Sequence, residues 1–213
     1  LDNTVKEVVG LEGIELAGIG TNLACLGGIK PNDEKMGYLS SIARDIEEKF
    51  GLTLEFVSGG NSANYSWFMS TKDVGRINNL RLGESIYLGC EILYRKPIPG
   101  LFTDAFTLAT EVIESKIKPS VPYGEVCQNA FGEKPKFAEI GNINRIIIGI
   151  GKQDVDTKAI TPRINAKIIG ASSDHLILHS QNHIEVGSEI EFDINYSALL
   201  RLSTSSYVKK VFI

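Results

Sequence analysis

The segment Val57-Ser58-Gly59-Gly60-Asn61-Ser62 decides the fold expected for this 213-residue chain. It joins an apolar run to a helix-compatible stretch through a glycine-containing turn, and Asn79-Leu80-Arg81-Leu82-Gly83-Glu84 repeats this arrangement further along. Backbone N–H groups at such turns, with a helix dipole behind them, form an anion site. A third segment, Asp193-Ile194-Asn195-Tyr196, supplies a tyrosine from a distant region rich in β-branched residues. In this order, the two turns, the arginine and the tyrosine suit a cofactor with a phosphate and a ring.

Composition and charge narrow the class of protein. Hydrophobic residues make up 43% of the chain and charged residues 23%, which is typical of a folded soluble protein. The net charge of −4 disfavours a nucleic-acid-binding surface. No apolar run approaches the roughly 20 residues that span a bilayer, and the start of the chain does not resemble a signal peptide. We therefore expect a cytoplasmic protein with neither a nucleic-acid nor a membrane partner.

The cysteines and histidines disfavour several kinds of site. Cys25, Cys90 and Cys127 are far apart and form no Cys-x-x-Cys pair, so we expect neither a disulfide scaffold nor a zinc site. The α/β part of the chain lacks the histidine that a Ser-His or Cys-His catalytic pair would need, because the histidines lie near the C-terminus, at His175, His179 and His183. We expect no metal site.

Residues 1–100 alternate strand and helix patterns. Strands are expected at Ile14–Gly20, Leu54–Val57 and Leu80–Leu82. Between the first two, Asn32 is expected to cap a helix that ends at Phe50. Short strand–helix–strand connections predict parallel strands. The pattern is that of a β/α barrel, in which function lies at the C-terminal ends of the strands.

Residues 101–213 have a different pattern. Pro97-Ile98-Pro99-Gly100 is typical of a linker, and β-branched alternation then replaces helical periodicity. This favours an antiparallel β domain. The expected strands are Thr107–Lys116, Arg145–Ile150, Ala166–Gly170, Leu176–His179, Glu189–Ile194 and Tyr207–Ile213.

The expected fold class is therefore α/β plus all-β. Residues 1–100 form the C-terminal part of a β/α (TIM) barrel, and residues 101–213 form the antiparallel β domain. Three parallel strands cannot close an eight-stranded barrel, and an open edge would expose unpaired backbone. The missing strands are therefore expected from a separate polypeptide or from a longer enzyme of which this chain is a fragment.

Over nearly its whole length the chain resembles the fold-type III pyridoxal-phosphate racemases, the alanine racemase family, with a closer match to the ornithine racemase-like members. The resemblance implies a pyridoxal 5'-phosphate-dependent racemase that interconverts L- and D-amino acids by α-proton transfer. The implied substrate is ornithine, another basic amino acid or alanine, and the implied assembly is a homodimer with shared active sites. Besides the three segments above, the matching stretches are 18–25, 118–125, 151–156, 170–176 and 195–200.

The resemblance assigns the phosphate site to four residues. Ser62 matches the serine that binds the cofactor phosphate, and Gly83 and Glu84 match residues that supply backbone N–H groups to it. Tyr196 matches the phosphate-binding tyrosine of the family's Asn-Tyr segment.

The resemblance also implies residues at the ring and at the substrate. Arg81 matches the arginine that faces the pyridine nitrogen, where a permanently charged guanidinium keeps that nitrogen unprotonated. Asn22 stands where alanine racemases place a histidine against the ring. Tyr123 matches the catalytic tyrosine, which acts from the neighbouring subunit, and Ser173 and Asp174 lie where they contact the substrate ammonium or the facing subunit.

Other interpretations of these residues remain open. Ser62 is also a plain helix cap, and Arg81 also suits a salt bridge inside the barrel. Tyr196 is compatible with a buried core position, and Tyr123 with an interface or loop position. Asp174 is equally compatible with a turn cap before a strand.

Two alternative functions also remain open, because the family's Schiff-base lysine lies upstream of the matched region. Lys30 and Lys152 lack its context and are expected to be solvated or to face the substrate, so this chain alone is expected to be inactive. One alternative is a fold-type III decarboxylase, which needs a cysteine-containing substrate motif that Cys127 does not provide. The other is a non-catalytic protein that binds the cofactor or phosphate.

Overall fold

A three-stranded parallel sheet organises Leu1–Ala105, the first of two units in the computed structural model, which describes residues 1–213. The strands lie in the order β1-β2-β3, so the predicted parallel sheet is confirmed. Gly20 pairs with Ser58, and Asn61 pairs with Arg81. The C-terminal ends of all three strands therefore lie along one edge, here called the strand-end edge. The strands are β1 (Gly18–Gly20), β2 (Phe56–Asn61) and β3 (Asn79–Arg81).

The strand limits differ from the expected ones, most clearly in β2. Gly59 and Gly60 lie within β2 rather than in a turn that follows it. A Cβ atom on Gly59 would lie 2.8 Å from the side chain of Ile77 and 3.2 Å from that of Leu80. Because only glycine allows this close approach, a segment that looks like a turn in the sequence continues as a strand.

The expected helix between the first two strands is confirmed as α2 (Asp33–Phe50). The Asn32 side chain accepts a hydrogen bond from the backbone N–H of Lys35, and Gly51 ends the helix with φ of 65°. The stretches after β2 and β3 form α3 (Tyr65–Ser70), which follows a 3₁₀ turn, and α4 (Glu84–Leu88), whereas α1 (Asp2–Val9) was not expected. No helix has both the length and the apolar character of a membrane-spanning segment. The buried residues of α2 are Met36, Leu39, Ser40, Ala43 and Ile46.

The second unit, Phe106–Ile213, contains a six-stranded sheet in the order β6-β9-β4-β5-β8-β7. Every strand pair is antiparallel, so the predicted antiparallel β domain is confirmed. Its core includes the fully buried side chains of Val112, Ile146, Leu178 and Phe192. The strands are β4 (Thr107–Pro119), β5 (Asn142–Ile148), β6 (Ile160–Pro162), β7 (Ala166–Ala171), β8 (Leu176–Ser180) and β9 (Glu189–Ile194).

The end of this unit differs from the expectation. Residues 207–213 form no strand, because no neighbouring strand pairs with them, and β propensity acts through cross-strand packing. A helix, α5 (Tyr196–Thr204), follows β9 instead. The Asn195 side chain caps it by accepting hydrogen bonds from the N–H groups of Ser197 and Ala198. The buried side chains of Ala198 and Leu202, one turn apart, attach it to the core.

Candidate active site

Arg81 reaches from β3 across β2 to the end of β1. Its Nη1 donates to Ser58 Oγ at 2.5 Å, and its Nη2 donates to the carbonyl oxygen of Thr21 at 2.8 Å. A Cβ atom on Gly20 would lie 3.4 Å from Nη1, so the glycine leaves room for the guanidinium. No carboxylate of residues 1–213 forms an ion pair with Arg81. The strand-end edge therefore carries a fixed positive charge that is held by neutral acceptors.

Asn22 lies beside this arginine on the loop that follows β1. Its Oδ1 accepts a hydrogen bond from Asn61 Nδ2 at 2.7 Å. Since Asn61 pairs with Arg81 across the sheet, one short polar row joins the ends of all three strands. The structure thus places Asn22 and Arg81, both of which the resemblance assigns to the cofactor ring, at the same edge.

Ser62 connects the end of β2 to the beginning of α4. The side chain of Ser62 is 3% exposed, and its Oγ lies 3.2 Å from the backbone N of Gly83, 3.2 Å from the backbone N of Ser85 and 3.0 Å from Ser85 Oγ. The cap of its own 3₁₀ turn is supplied instead by Asn61, whose side chain accepts from the N–H of Ala63 at 2.9 Å. Ser62 is therefore a junction between two strand ends rather than a local cap.

This junction contains more donors than acceptors. A serine oxygen accepts at most two hydrogen bonds and must also donate its own proton. Ser62 Oγ can accept from both backbone N–H groups, and only one hydroxyl proton can lie between Ser62 Oγ and Ser85 Oγ, so the other hydroxyl proton has no acceptor within the cluster. A phosphate oxygen supplies the acceptor capacity that the cluster lacks. The chemistry of the donor set thus fits a phosphate group, including that of the cofactor implied by the sequence resemblance.

Glu84 is the acidic residue at this junction, and its charge is compensated. Its carboxylate forms an ion pair with the Arg95 guanidinium, and its side chain is 13% exposed. Arg95 has φ of 58°, a left-handed backbone conformation that is uncommon for a residue other than glycine. Because Arg95 neutralises the Glu84 carboxylate, the backbone N–H groups of residues 83–85 can face an anion without a nearby uncompensated negative charge.

Tyr196 is the first residue of α5 in the second unit and is 46% exposed, so it does not occupy the buried core. The segment 154–156 forms hydrogen bonds at both ends of helix α5. Asp156 accepts a hydrogen bond from Ser197 Oγ at 2.7 Å, and Asp154 accepts one from Ser205 Oγ at 2.6 Å. The position of Tyr196 therefore depends on these two aspartates.

Acid should weaken this attachment. Hydrogen bonds from the Ser197 hydroxyl and then from the Lys158 backbone N–H hold the pKa of Asp156 below its ordinary value of 3.8. A pKa that is lowered in the folded state gives stability that is present above the unfolded value and is lost as pH falls through the folded value. We expect Asp156→Asn to reduce the dependence of the unfolding free energy on pH below pH 3.8. Urea denaturation across this range measures the effect. Asp45→Asn, at an exposed position on α2, is the control, and equal slopes for both variants would contradict the prediction.

Ser173 and Asp174 lie in the turn between β7 and β8. The Asp174 carboxylate accepts hydrogen bonds from Ser173 Oγ at 2.9 Å and Ser172 Oγ at 3.2 Å, and these bonds contribute to a lowered pKa. The N–H of Lys152 donates to the carbonyl of Ser172, and that of Gln153 donates to the carbonyl of Ser173. The turn is thus fixed against residues 151–153, while the Asp174 side chain stays 55% exposed.

Gly151 sets the position of this turn. A Cβ atom on Gly151 would lie 2.3 Å from the Asp174 nitrogen and 2.4 Å from the Ser173 carbonyl carbon, both in the backbone. We expect Gly151→Ala to lower the free energy of unfolding by about 1–3 kcal/mol through overpacking. Gly149→Ala is the matched control, because its nearest neighbour is a side-chain carbon of Ile113 at 3.9 Å. Urea denaturation of both variants is the measurement, and equal losses of stability would show that the turn tolerates the added methyl group.

Tyr123 lies in the long connection between β4 and β5, and its side chain is fully exposed. The structure records no hydrogen bond for its hydroxyl group. It is therefore available to a ligand or to another chain, and its catalytic role stays a prediction, as do the roles of the other site residues. No group of three or more histidine, cysteine, aspartate or glutamate side chains is placed to hold a metal ion.

Two residues of the strand-end edge were missed in the sequence. Ser58 positions Arg81, and Ser85 completes the donor cluster at Ser62. The only sequence signal for Ser85 is a hydroxyl residue directly after Gly83-Glu84, at the start of an expected helix. Ser58 gives no comparable signal, because its contact depends on the register between β1, β2 and β3.

Comparisons with known proteins identify relatives of this chain. The chain is 41% identical to an ornithine racemase of Acetoanaerobium sticklandii, covering 99% of this chain and 61% of that protein. It is 37% identical to a lysine racemase of Thermotoga maritima, covering 99% and 60%. The chain thus spans about three fifths of the length of these curated relatives. No family model matches it.

Solved structures extend the likeness to the fold. An alanine racemase from Bartonella henselae with covalently bound pyridoxal phosphate matches 95% of this chain and 55% of its own chain, with a TM-score of 0.58 and 17% identity. The resemblance inferred from the sequence is confirmed at the level of the fold. The chain therefore has the alanine racemase-like fold, of which it represents the C-terminal portion.

Proposed function

We propose that the full-length protein is a pyridoxal-phosphate-dependent amino-acid racemase whose substrate is a basic amino acid, ornithine or lysine. The observation that carries the proposal is the strand-end edge, where the donor-rich junction at Ser62 and the fixed guanidinium of Arg81 lie at the ends of neighbouring strands. The two curated relatives, named ornithine and lysine racemase, favour a basic substrate over alanine.

Each residue of the candidate site has a proposed role in binding the cofactor. The cofactor phosphate would be held by Ser62, Ser85 and the N–H groups of Gly83 and Glu84. The family resemblance adds Tyr196 as a further phosphate ligand. Arg81 would face the ring nitrogen and keep it unprotonated, because a guanidinium donates hydrogen bonds and accepts none. Asn22 would lie beside the ring.

Bound pyridoxal phosphate supplies an electron sink that makes the α-hydrogen of an amino acid removable. Tyr123 would hold or deliver a proton on one side of the α-carbon, and a lysine outside residues 1–213 would do so on the other. Ser173 and Asp174 would contact the substrate ammonium group. A racemase needs two such groups because the proton must leave one face and return to the other.

A homodimer with shared active sites and a cytoplasmic location complete the proposal. The dimer follows the family resemblance. The location is supported by the three free thiols, of which Cys25 and Cys127 are exposed, since exposed free cysteines suit a reducing compartment.

Product analysis tests this function against the two alternatives. Full-length protein with pyridoxal phosphate is incubated with L-ornithine, L-lysine and L-alanine, followed by chiral chromatography and measurement of carbon dioxide. We expect D-ornithine or D-lysine and no carbon dioxide. Release of carbon dioxide would favour a decarboxylase, and binding of the cofactor without any product would favour a non-catalytic protein.

The 213-residue polypeptide on its own is expected to be inactive. The ammonium groups of Lys30 and Lys35 contact other residues: Lys30 Nζ lies 5.6 Å from the centre of the Tyr94 ring, and Lys35 Nζ donates to Asn32 Oδ1 at 3.4 Å. Borohydride reduction with pyridoxal phosphate, followed by peptide mass spectrometry, should label no single lysine of this polypeptide. Stoichiometric labelling at one lysine would contradict the prediction.

A further inference from the structure

The connection between β4 and β5, residues 120–141 and here called the β4–β5 loop, is attached to its unit through one side chain. The two ends of the loop are bonded to each other, through residues 120 and 139–141. Between them, every hydrogen bond, ion pair and ring contact that joins residues 121–138 to the rest of the chain involves Lys152. Lys152 Nζ lies 3.3 Å from Glu133 Oε2 and 3.7 Å from the centre of the Phe131 ring. Loops longer than about 12–15 residues are uncommon in compact domains and are usually either functional or linker segments.

Both partners of Lys152 belong to one tight turn of the loop. Asn129 Oδ1 accepts hydrogen bonds from the N–H groups of Phe131 at 2.9 Å and Glu133 at 3.0 Å. The N–H of Asn129 donates to the Glu133 carbonyl at 2.8 Å. The Asn129 side chain and then Lys152 lower the pKa of Glu133, which keeps its carboxylate charged. The hydrogen bonds of this turn therefore hold the Phe131 ring and the Glu133 carboxylate side by side, where both contact Lys152.

Lys152 is itself fixed from the opposite side by its backbone. Its N–H donates to the carbonyl of Ser172 at 3.0 Å, next to the Ser173–Asp174 turn. Its carbonyl accepts a hydrogen bond from Arg201 of α5 at 3.4 Å. One residue thus connects the loop that carries Tyr123 to the turn that carries Asp174 and to the helix that begins with Tyr196.

We propose that Lys152 is a positioning residue that fastens the β4–β5 loop and so places Tyr123 for proton transfer. Its ammonium forms a cation–π contact with Phe131 and an ion pair with Glu133, two interactions that a neutral side chain cannot make. The placement of Tyr123 rests on the proposed function, whereas the fastening of the loop does not.

Limited proteolysis tests the fastening in the full-length protein. Chymotrypsin cleavage after Tyr123 and Phe137 is followed by mass spectrometry. We expect Lys152→Met to accelerate this cleavage about five- to tenfold, since both contacts are lost, and Lys152→Arg to restore the parent rate. Lys136→Met is the matched control within the loop, where no contact of the lysine side chain is recorded. Unchanged cleavage in Lys152→Met would overturn the proposal.

Steady-state kinetics of the same variants test the placement of Tyr123. We expect Lys152→Met to lower kcat about tenfold with little change in KM, because loop order is lost while substrate contacts remain. Lys152→Arg should recover kcat. Faster cleavage with unchanged kcat would overturn the positioning role.

Should Lys152→Met fail to fold, Glu133→Gln and Phe131→Leu each remove one contact from the exposed loop, and the rate of cleavage and kcat of these variants test the proposal. A parent without racemase activity would reject the proposed function, and proteolysis would still decide the fastening.

Discussion

Racemisation by the full-length protein is expected to fall about a hundredfold or more when Arg81 is replaced by lysine, the range seen when one preorganised donor is removed from an active site. The guanidinium makes its two hydrogen bonds, to Ser58 Oγ and the Thr21 carbonyl, from a rigid planar fork. A lysine keeps the charge but is a point donor that cannot satisfy both acceptors and face a ring at once.

The measurement is kcat/KM for the basic substrate, together with the dissociation constant of pyridoxal phosphate from a fluorescence titration. We expect the rate to fall much more than the cofactor affinity, because the phosphate contacts of the Ser62 junction remain. Arg44→Lys, at an exposed position on α2, is the control and should leave both quantities unchanged. A parent-like rate in Arg81→Lys would show that Arg81 does not act at the ring.

Tyr123→Phe is expected to reduce kcat by about 10²–10⁴, the usual contribution of a positioned acid or base. The change removes only the hydroxyl group of a fully exposed side chain, so the folded structure should be kept. Circular dichroism and the melting temperature are the controls for folding. A parent-like kcat would remove Tyr123 from the mechanism.

Mixed dimers test whether Tyr123 acts on the neighbouring subunit. Tyr123→Phe and Arg81→Lys subunits are unfolded, mixed in equal amounts and refolded. In a hybrid dimer with shared sites, one site receives Arg81 from one subunit and Tyr123 from the other. Half of the dimers are then hybrids with one intact site each, so about a quarter of the parent activity should return. If hybrid dimers form without recovery, both residues act within one subunit.

The fold was predictable where a local pattern is strong. The helix from Asp33 to Phe50 has a cap, a regular apolar face and a glycine stop, and the structure confirms all three. Residues 207–213 have a strand-like composition but no partner strand, so the expected strand is absent. Helix α5 was missed because Asn195 and Tyr196 were interpreted through the phosphate site, although Asn195 is also a good helix cap.

The strand-end edge was predictable only in part. Ser62 and Gly83 follow expected strands and Arg81 lies within one, and parallel strands bring their C-terminal ends together. The roles of the three residues came from the family resemblance. Ser58 could not, since its contact with Arg81 depends on strand register and on the room beside Gly20. The fastening of the β4–β5 loop by Lys152 joins positions far apart in the chain, and no local pattern encodes such a contact.

Exchange of the α-hydrogen with solvent tests the central claim most directly. Full-length protein with pyridoxal phosphate is incubated in deuterated water with L-ornithine or L-lysine, and then with the D-enantiomer, and the α-position is followed by nuclear magnetic resonance. We predict that deuterium enters the α-position of both enantiomers of one of these amino acids, and that Arg81→Lys slows its entry. No deuterium at the α-position of either ornithine or lysine would contradict the account.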